Sequence, residues 1–240
     1  SEISHCRKRL GRWMKPRRVS TPVFGQPGRS WVQAEPLGVV LVMSAWNYPL
    51  QIALAPLVAA IAAGNCAVIK PSEVSPATSA LLARRIPEYL DKDCFAVVEG
   101  AVAESTALLR ERFDHIIYTG GAAVGRIVMT AAARHLTPVT LELGGKSPCV
   151  VMSDADLKVA AKRIAWGRFM NAGQTCIAPD YILTDAQTEA KLVPLLRREL
   201  HGMFGENAQN SASYGRIVNS KHLDRLLGLL ESGTIAVGGQ

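Results

Sequence analysis

Three short segments carry side chains that could perform covalent or acid–base chemistry. The first, NAGQTC at 171–176, ends in a cysteine, and its polar, glycine-containing loop suits exposure of a reactive thiolate. In the second, Glu142 stands between two leucines at the end of an apolar run, where a buried carboxylate is a candidate general base. The third contains Asn47, whose side-chain amide is a candidate donor to an oxyanion.

Each of these side chains also has a purely structural interpretation. An isolated cysteine is more often a small buried hydrophobic residue than a nucleophile, and Cys66 and Cys149, inside apolar strands, are interpreted in that way. Glu142 could be a structural carboxylate paired with a lysine. Asn47 could simply shape the turn in which it lies.

Two further segments are candidates for a dinucleotide site, although the sequence contains no Gly-x-Gly-x-x-Gly pattern. Residues 119–125 (TGGAAVG) lie between a predicted strand and a predicted helix, where small residues and a helix N-terminus allow phosphate to bind. A glycine turn that merely joins strand to helix is an equal alternative. Lys70 and Glu73 follow a strand end, where α/β sheets bind ligands, and could contact ribose hydroxyls or a 2′-phosphate. A surface ion pair is the alternative for them.

Alternating strands and helices must position these residues. The predicted strands are 37–43, 66–69, 95–98, 115–118, 139–143, 148–152 and 180–184. The predicted helices are 50–63, a helix opening at Ser75-Pro76, 103–112, a helix from Gly120-Gly121 to about 134, 154–170, 186–203 and 219–231. Such alternation is typical of an α/β fold with a parallel sheet covered on both faces. We predict a basic helix and linker at 1–35, a dinucleotide-binding domain at 36–139 and a second domain at 140–240.

Composition narrows the functional classes. The 240 residues are 48% hydrophobic and 20% charged, which is typical of a globular protein. Seven basic residues between positions 7 and 18, opposed there only by Glu2, carry most of the net charge of +7, while the remaining 20 basic and 19 acidic residues nearly balance. This local charge predicts a solvated helix face and no nucleic-acid partner. The uncharged stretch 36–69 is broken by Asn, Pro and Gly, so it predicts buried elements rather than a membrane span.

The cysteines and histidines point to a reducing compartment and to no metal. Five cysteines without a CxxC pair favour reduced thiols in a cytoplasmic protein, and Cys6 and Cys94 have no chemical context in the sequence. The five histidines are scattered without metal-ligand spacing, so a zinc site is not expected.

Taken together in their order along the chain, these segments resemble the aldehyde dehydrogenase superfamily from about residue 31 onward. The matching motifs are MSAWNYP at 43–49, IKPSE at 69–73, YTGGAAVG at 118–125, LELGGKSP at 141–148 and FMNAGQTCIAP at 169–179. The last two are highly specific. Three finer matches resemble the class 3 branch, whose dimeric enzymes favour aromatic and medium-to-long-chain aliphatic aldehydes: NYP at 47–49, RIAWG at 163–167 and APDY at 178–181.

The resemblance implies a Rossmann-like NAD(P)-binding domain followed by the first part of a catalytic domain. It implies oxidation of an aldehyde to a carboxylic acid, with NAD as cofactor and NADP tolerated. Cys176 would be the nucleophile, Asn47 the oxyanion donor and Glu142 the base that activates water. The residues that would hold the dinucleotide are Trp46, Lys70, Glu73, Gly120, Gly121, Ala122, Ala123, Val124, Gly125 and Arg126. A homodimer is implied for the full-length protein.

The chain departs from the family pattern in two ways. Its pyrophosphate turn has Gly120-Gly121-Ala122 where the family commonly has Gly-Ser-Thr, so backbone N–H groups must replace hydroxyl contacts. The family's Glu-Glu-x-Phe-Gly-Pro segment, C-terminal strand and N-terminal helices have no counterpart, which predicts a chain truncated at both ends and inactive by itself. The rival functions are therefore a binding or structural protein on the same fold, and a thiol hydrolase, which lacks a histidine partner motif for Cys176.

Overall fold

The computed structural model describes residues 2–239, which fall into a first compact unit up to Leu143 and a second from Gly144. The helices are α1 (Glu2–Trp13), α2 (Pro49–Ala62), α3 (Pro76–Tyr89), α4 (Val102–Leu108), α5 (Ala122–Ala133), α6 (Leu157–Phe169), α7 (Ala186–Phe204) and α8 (Ser220–Leu230). The strands are β1 (Arg17–Val19), β2 (Ser30–Val32), β3 (Val39–Met43), β4 (Cys66–Lys70), β5 (Phe95–Val97), β6 (His115–Gly120), β7 (Val139–Leu143), β8 (Ser147–Val150) and β9 (Pro179–Leu183).

A five-stranded parallel sheet in the order β5-β4-β3-β6-β7 forms the centre of the first unit. Successive side chains of the middle strand, β3, point to opposite faces. Val40 and Val42 join the core formed with α2 and α3, whereas Leu41 and Met43 join the core formed with α5. The sheet is therefore covered on both faces, as the predicted α/β fold requires.

Side chains help to hold the backbone at the start of β3, in addition to β4, where the N–H of Cys66 donates to the carbonyl of Gly38 at 3.0 Å. The carboxamide oxygen of Asn65 accepts the backbone N–H of Leu37 at 2.7 Å and of Gly38 at 2.9 Å. One carboxylate oxygen of Asp114 accepts the N–H of Val39 at 2.8 Å. The N–H groups of Leu37 and Gly38 are both bonded to the side chain of Asn65, and the strand begins at Val39 and not at 37 as predicted.

The second unit contains a smaller parallel sheet of β8 and β9, with α6 between them in the chain. Its core contains Val151, Ala161, Ile164 and Leu192. The helix predicted at 154–170 begins instead at Leu157, since the Asp156 carboxylate accepts the N–H groups of Lys158 at 3.0 Å and Val159 at 3.2 Å. An aspartate that caps a helix in this way lies just before its first residue.

The boundary between the units differs from the expected one at 139/140. Strand β7 pairs with β6 along its whole length, from Val139 opposite Ile116 to Leu143 opposite Gly120. It therefore belongs to the first sheet, and the second unit begins with the Gly144-Gly145 turn.

The basic segment at the N-terminus also belongs to the first unit. Its predicted helix is present as α1, which packs against α2 without burying any residue of its own, and β1 and β2 pair as a short antiparallel ribbon. Among the described residues, no helix has both the length and the apolar character needed to cross a membrane.

One face of the β8–β9 sheet is exposed. Val150 and Leu183 are neighbours across the two strands and are 63% and 51% exposed. On the other face, Cys149 and Ile182 pack against the core. A parallel sheet is normally covered on both sides, so an exposed apolar face of this kind favours association with another surface.

We expect the 240-residue chain to self-associate when it is expressed alone, because burying the exposed pair on β8 and β9 between molecules removes apolar surface from water. Replacing both residues, Val150→Thr with Leu183→Thr, should shift sedimentation-velocity profiles toward the monomer. Val102→Thr, at a 78% exposed position of the first unit, is the matched control and should change nothing. A monomeric parent chain would contradict the prediction.

Candidate active site

The order of the five strands reverses between β3 and β6, which lie side by side at the middle of the sheet. From there the chain continues outward through β4 and β5 on one side and through β7 on the other. Open α/β sheets bind ligands in the crevice outside the carboxyl ends of the strands at such a reversal. Two predicted segments leave from these ends: residues 44–48 after β3 and residues 121–126 after β6.

The turn after β3 is tied to the segment that follows β4. Its first N–H, that of Ser44, donates to the carbonyl of Lys70 at 3.1 Å, and the hydroxyl of Ser75 donates to the carbonyl of Trp46 at 3.0 Å. Pro49, in the first turn of α2, ends it. Asn47 is half-buried and directly follows the anchored carbonyl of Trp46.

Lys70 is buried rather than on the surface. Its side chain is 3% exposed, and its ammonium donates to the carbonyl of Pro71 at 2.7 Å and lies 3.5 Å from a carboxylate oxygen of Glu73. Glu73 itself is 48% exposed. A buried ammonium is costly unless it is hydrogen-bonded, and these two contacts satisfy that need, so Lys70 and Glu73 do not form a simple surface ion pair.

Gly120, the last residue of β6, and Gly121, which follows it, differ in whether their surroundings require a glycine. At Gly120, an added Cβ would overlap the hydroxyl of Tyr118, which donates to the carbonyl of Gly121 at 3.3 Å. Burial raises the pKa of Tyr118, which keeps this hydroxyl protonated. At Gly121, by contrast, φ is −79° and an added Cβ would have no atom within 4 Å, so no contact in the described chain requires glycine there.

The first turn of α5 continues the site. Gly125 is buried, and a Cβ there would lie 3.1 Å from a methyl carbon of Leu143, so this glycine allows the helix to pack closely on the sheet. The exposed residues of the segment are Gly121, Ala122, Ala123, Val124 and Arg126. They surround the helix N-terminus, whose N–H groups and positive dipole end suit an anion.

The expected burial of Glu142 is wrong. Leu141 and Leu143 pack against the core, but Glu142 lies between them on an edge strand and is exposed. The reason is the two-residue period of a strand, which turns the glutamate away from the face that both leucines share. In the pairing of β7 with β6, Glu142 lies opposite Thr119.

Cys176 belongs to the second unit and is exposed, whereas the other four cysteines are half-buried. The loop before it has three successive residues with positive φ: Asn171 at 53°, Ala172 at 53° and Gly173 at 76°. Left-handed backbone costs about 1–2 kcal/mol for a non-glycine residue, so the surrounding contacts must maintain it.

The side chain of Gln174 supplies several of those contacts. Its amide nitrogen donates to the carbonyl of Asn171 at 3.0 Å and to that of Arg216 at 3.1 Å, while its amide oxygen accepts the N–H of Val218 at 2.9 Å. We call this set of bonds the Gln174 clamp. It fixes the loop before Cys176 to a segment about forty residues later.

The loop is also held from the side of the Gly144-Gly145 turn. A Cβ on Gly145 would lie 2.5 Å from the carbonyl oxygen of Cys176, so only glycine allows this approach. Asp180, four residues after the cysteine, accepts from Lys146 at 2.9 Å and from Arg168 at 3.3 Å. The pKa of Asp180 is lowered, first by its hydrogen bond with Lys146 and further by the charge of Arg168.

Sequence reasoning assigned no role to Gln174 or Asp180. The polar Gln174 in a loop gave no indication of a partner forty residues away. Asp180 had a weak signal, because a carboxylate at the first position of a predicted strand needs a cation nearby. Within the described residues, no cluster of three or more His, Cys, Asp and Glu could hold a metal ion.

Known sequences match this chain over its whole length. The profile of the aldehyde dehydrogenase family matches residues 3–238. A dimeric, NADP-preferring aldehyde dehydrogenase of Canis lupus familiaris is 52% identical over 238 residues, which are 99% of this chain and 52% of that protein. Aldehyde dehydrogenase family 3 member B1 of Rattus norvegicus is 50% identical over 240 residues, covering 100% of this chain and 51% of that protein.

Solved structures share the fold. The substrate-bound state of Staphylococcus aureus AldH superposes with a TM-score of 0.90 at 45% identity, covering 96% of this chain and 50% of that one. A Mycobacterium tuberculosis aldehyde dehydrogenase complexed with NAD+ gives a TM-score of 0.86 at 30% identity, covering 97% and 49%. The chain spans about half the length of the curated relatives it matches.

The lowered pKa of Asp180 predicts how stability depends on pH. The stabilisation is present above the ordinary carboxyl pKa of about 4 and is lost as the pH falls through the lower folded-state pKa. We expect Asp180→Asn to reduce the free energy of unfolding by about 1 kcal/mol at pH 7 and by progressively less below pH 4. Urea titrations across this range measure the difference.

Asp224→Asn, at an exposed carboxylate on α8, is the control and should be neutral at every pH. A loss for Asp180→Asn that is equal at pH 7 and pH 3 would mean that the ion pairs with Lys146 and Arg168 do not stabilise the fold.

Proposed function

The chain belongs to the aldehyde dehydrogenase family, and we propose that it carries the nucleophile, the oxyanion donor and much of the dinucleotide site of an enzyme that oxidises aldehydes to carboxylic acids. The observation that carries this proposal is Cys176, an exposed thiol that follows a left-handed loop held by the Gln174 clamp. A thiol in such a setting is positioned for reaction rather than for packing.

The sulfur of Cys176, as thiolate, attacks the carbonyl carbon of the aldehyde and forms a thiohemiacetal. The negative charge that develops on the carbonyl oxygen is stabilised by the side-chain amide of Asn47 and the backbone N–H of Cys176. Asn47 is half-buried and follows backbone that is hydrogen-bonded at Ser44 and Trp46, which supports this role, because an oxyanion donor must already be oriented when the charge appears.

A nicotinamide dinucleotide, when bound, supplies the hydride acceptor that converts the thiohemiacetal to a thioester. Glu142 then takes a proton from a water molecule, which attacks the thioester carbon and releases the carboxylic acid and the Cys176 thiolate. The exposed position of Glu142 on β7 is consistent with access to water.

The first unit holds the dinucleotide in this proposal. Lys70 and Glu73 contact the adenosine ribose, since the buried ammonium and the half-exposed carboxylate offer a donor and an acceptor side by side. Residues 120–126 bind the pyrophosphate through backbone N–H groups, and the open space around Gly121 allows phosphate to approach the main chain. Trp46 lines the same edge of the sheet.

For the whole enzyme we propose a medium-to-long-chain aliphatic or aromatic aldehyde as substrate and a homodimer as the assembly. NAD is used readily and NADP is tolerated, because the carboxylate of Glu73 repels a 2′-phosphate while Lys70 partly offsets that repulsion. A cytoplasmic location fits five cysteines that are all free.

The nucleophile is tested by Cys176→Ala in the protein expressed from its complete reading frame. We expect the rate of aldehyde oxidation to fall on the order of 10⁴-fold or more. Dinucleotide binding, measured by fluorescence quenching, should be unchanged. Cys6→Ala, on α1, is the matched control and should keep full activity. Near-normal turnover in Cys176→Ala would overturn the assignment.

Glu142→Gln separates the two chemical steps. A base that activates water acts only after the thioester has formed, so the burst of reduced cofactor should persist in rapid mixing while steady turnover slows about 10²- to 10⁴-fold. Glu111→Gln, another exposed carboxylate of the first unit, should leave both phases unchanged. Loss of the burst would assign Glu142 to thioester formation or to the fold.

Cofactor choice is tested at Glu73. Removing its charge in Glu73→Gln should raise the ratio of kcat/KM for NADP to that for NAD roughly 3- to 10-fold, as expected for one partly exposed charge near a phosphate. Glu88→Gln breaks the similarly spaced Arg85–Glu88 pair on α3 and should leave the ratio unchanged. A strong preference of the parent enzyme for NADP would contradict the proposed contact.

A further inference from the structure

Two cysteines outside the proposed active site lie next to each other at the amino ends of β4 and β5. Cys66 is the first residue of β4, and Cys94 immediately precedes β5. Ala67 lies opposite Phe95 in the parallel register, and the N–H of Ala67 donates to the carbonyl of Cys94 at 2.9 Å. Cys66 and Cys94 each lie one residue before this pair, so they occupy facing positions on adjacent chain segments.

The spacing of these positions suits a covalent link. Neighbouring strands lie about 4.8 Å apart, and residues that face each other in a parallel register direct their side chains to the same face. Disulfides join Cα atoms that are roughly 4.4–6.8 Å apart. Within residues 2–239, no strand pairs with β5 on its other side, so the two thiols lie at the edge of the sheet, where both are half-buried.

The two thiols already interact. A hydrogen bond joins the side chains of Cys94 and Cys66, and it is the main reason that the pKa of Cys94 is raised. Burial, the charge of Cys66 and the carboxylates of Asp91 and Asp93 raise this pKa further. A raised pKa disfavours the thiolate of Cys94, so Cys94 is the less reactive sulfur of the two toward an oxidant.

We propose that Cys66 and Cys94 form an oxidisable dithiol, which a peroxide converts to a disulfide across the β4–β5 edge. One sulfur attacks the peroxide, gains an oxygen as a sulfenic acid and releases water. The second thiol attacks that sulfur, the S–S bond forms, and the hydroxyl leaves as a second water. In balance, two thiols and one hydrogen peroxide give one disulfide and two waters.

Other uses of this pair fit the structure less well. A metal ion needs more ligands than two thiols, and among residues 2–239 no cluster of three or more His, Cys, Asp and Glu is present. The proposal is independent of the dehydrogenase function, because Cys66 and Cys94 lie at the opposite end of β4 from Lys70.

The test is to oxidise the protein expressed from its complete reading frame, carrying Cys176→Ser so that the exposed thiol does not compete. After brief treatment with hydrogen peroxide, remaining thiols are blocked with N-ethylmaleimide and the protein is digested with trypsin without reduction. We expect a cross-linked pair of peptides, residues 30–84 joined to residues 93–110, which dithiothreitol separates. Titratable thiols should fall by two.

Matched variants assign the link. Cys66→Ser and Cys94→Ser should each abolish the cross-linked peptides, whereas Cys149→Ser, which removes another half-buried thiol from a strand, should retain them. Recovery of Cys66 and Cys94 as blocked thiols or as separate sulfinic acids would overturn the proposal, and so would links to other cysteines. If the serine variants do not fold, the peptide map of the Cys176→Ser protein decides the question by itself.

Discussion

The pairing of β3 with a strand on each side is the constraint on which the first unit depends. Because β3 is buried on both faces and bonded along both edges, its carboxyl end cannot move independently of β4 and β6. Parallel pairing then brings the turn of Asn47, the ammonium of Lys70 and the glycine turn after β6 to one edge of the sheet. The candidate site is thus a consequence of strand direction, and the loops supply only the chemical groups.

The two units hold their candidate residues by different means. In the first unit, a hydrogen-bonded sheet and two apolar cores fix the backbone, so polar groups such as Lys70 can be buried with few partners. In the second unit, a loop carries Cys176, and individual polar contacts from Gln174 and the packing of Gly145 fix it. This loop leaves the sulfur of Cys176 exposed, as the proposed nucleophile requires. Its conformation depends on individual polar contacts, whereas the first unit is fixed by a whole hydrogen-bonded sheet.

Much of this fold could be predicted from sequence, because apolar periodicity, prolines and glycines are local signals. The start of β3 could not, since it depends on Asn65 and Asp114, which approach it from distant parts of the chain. The exposure of Glu142 was mispredicted because its leucine neighbours suggested burial, although strand geometry places them on the opposite face. The bonds of Gln174 have no local signal at all.

The left-handed backbone of residues 171–173 is maintained by contacts with residues 215–218, about forty positions later in the chain. The carbonyl of Arg216 and the N–H of Val218 are both bonded to the same amide, and Gly215 packs against Ala172. A single proteolytic cut after Arg216 would separate the two attachment points. The loop would then relax toward ordinary right-handed backbone, and the thiol of Cys176 would lose its orientation although every residue from 171 to 176 remained intact.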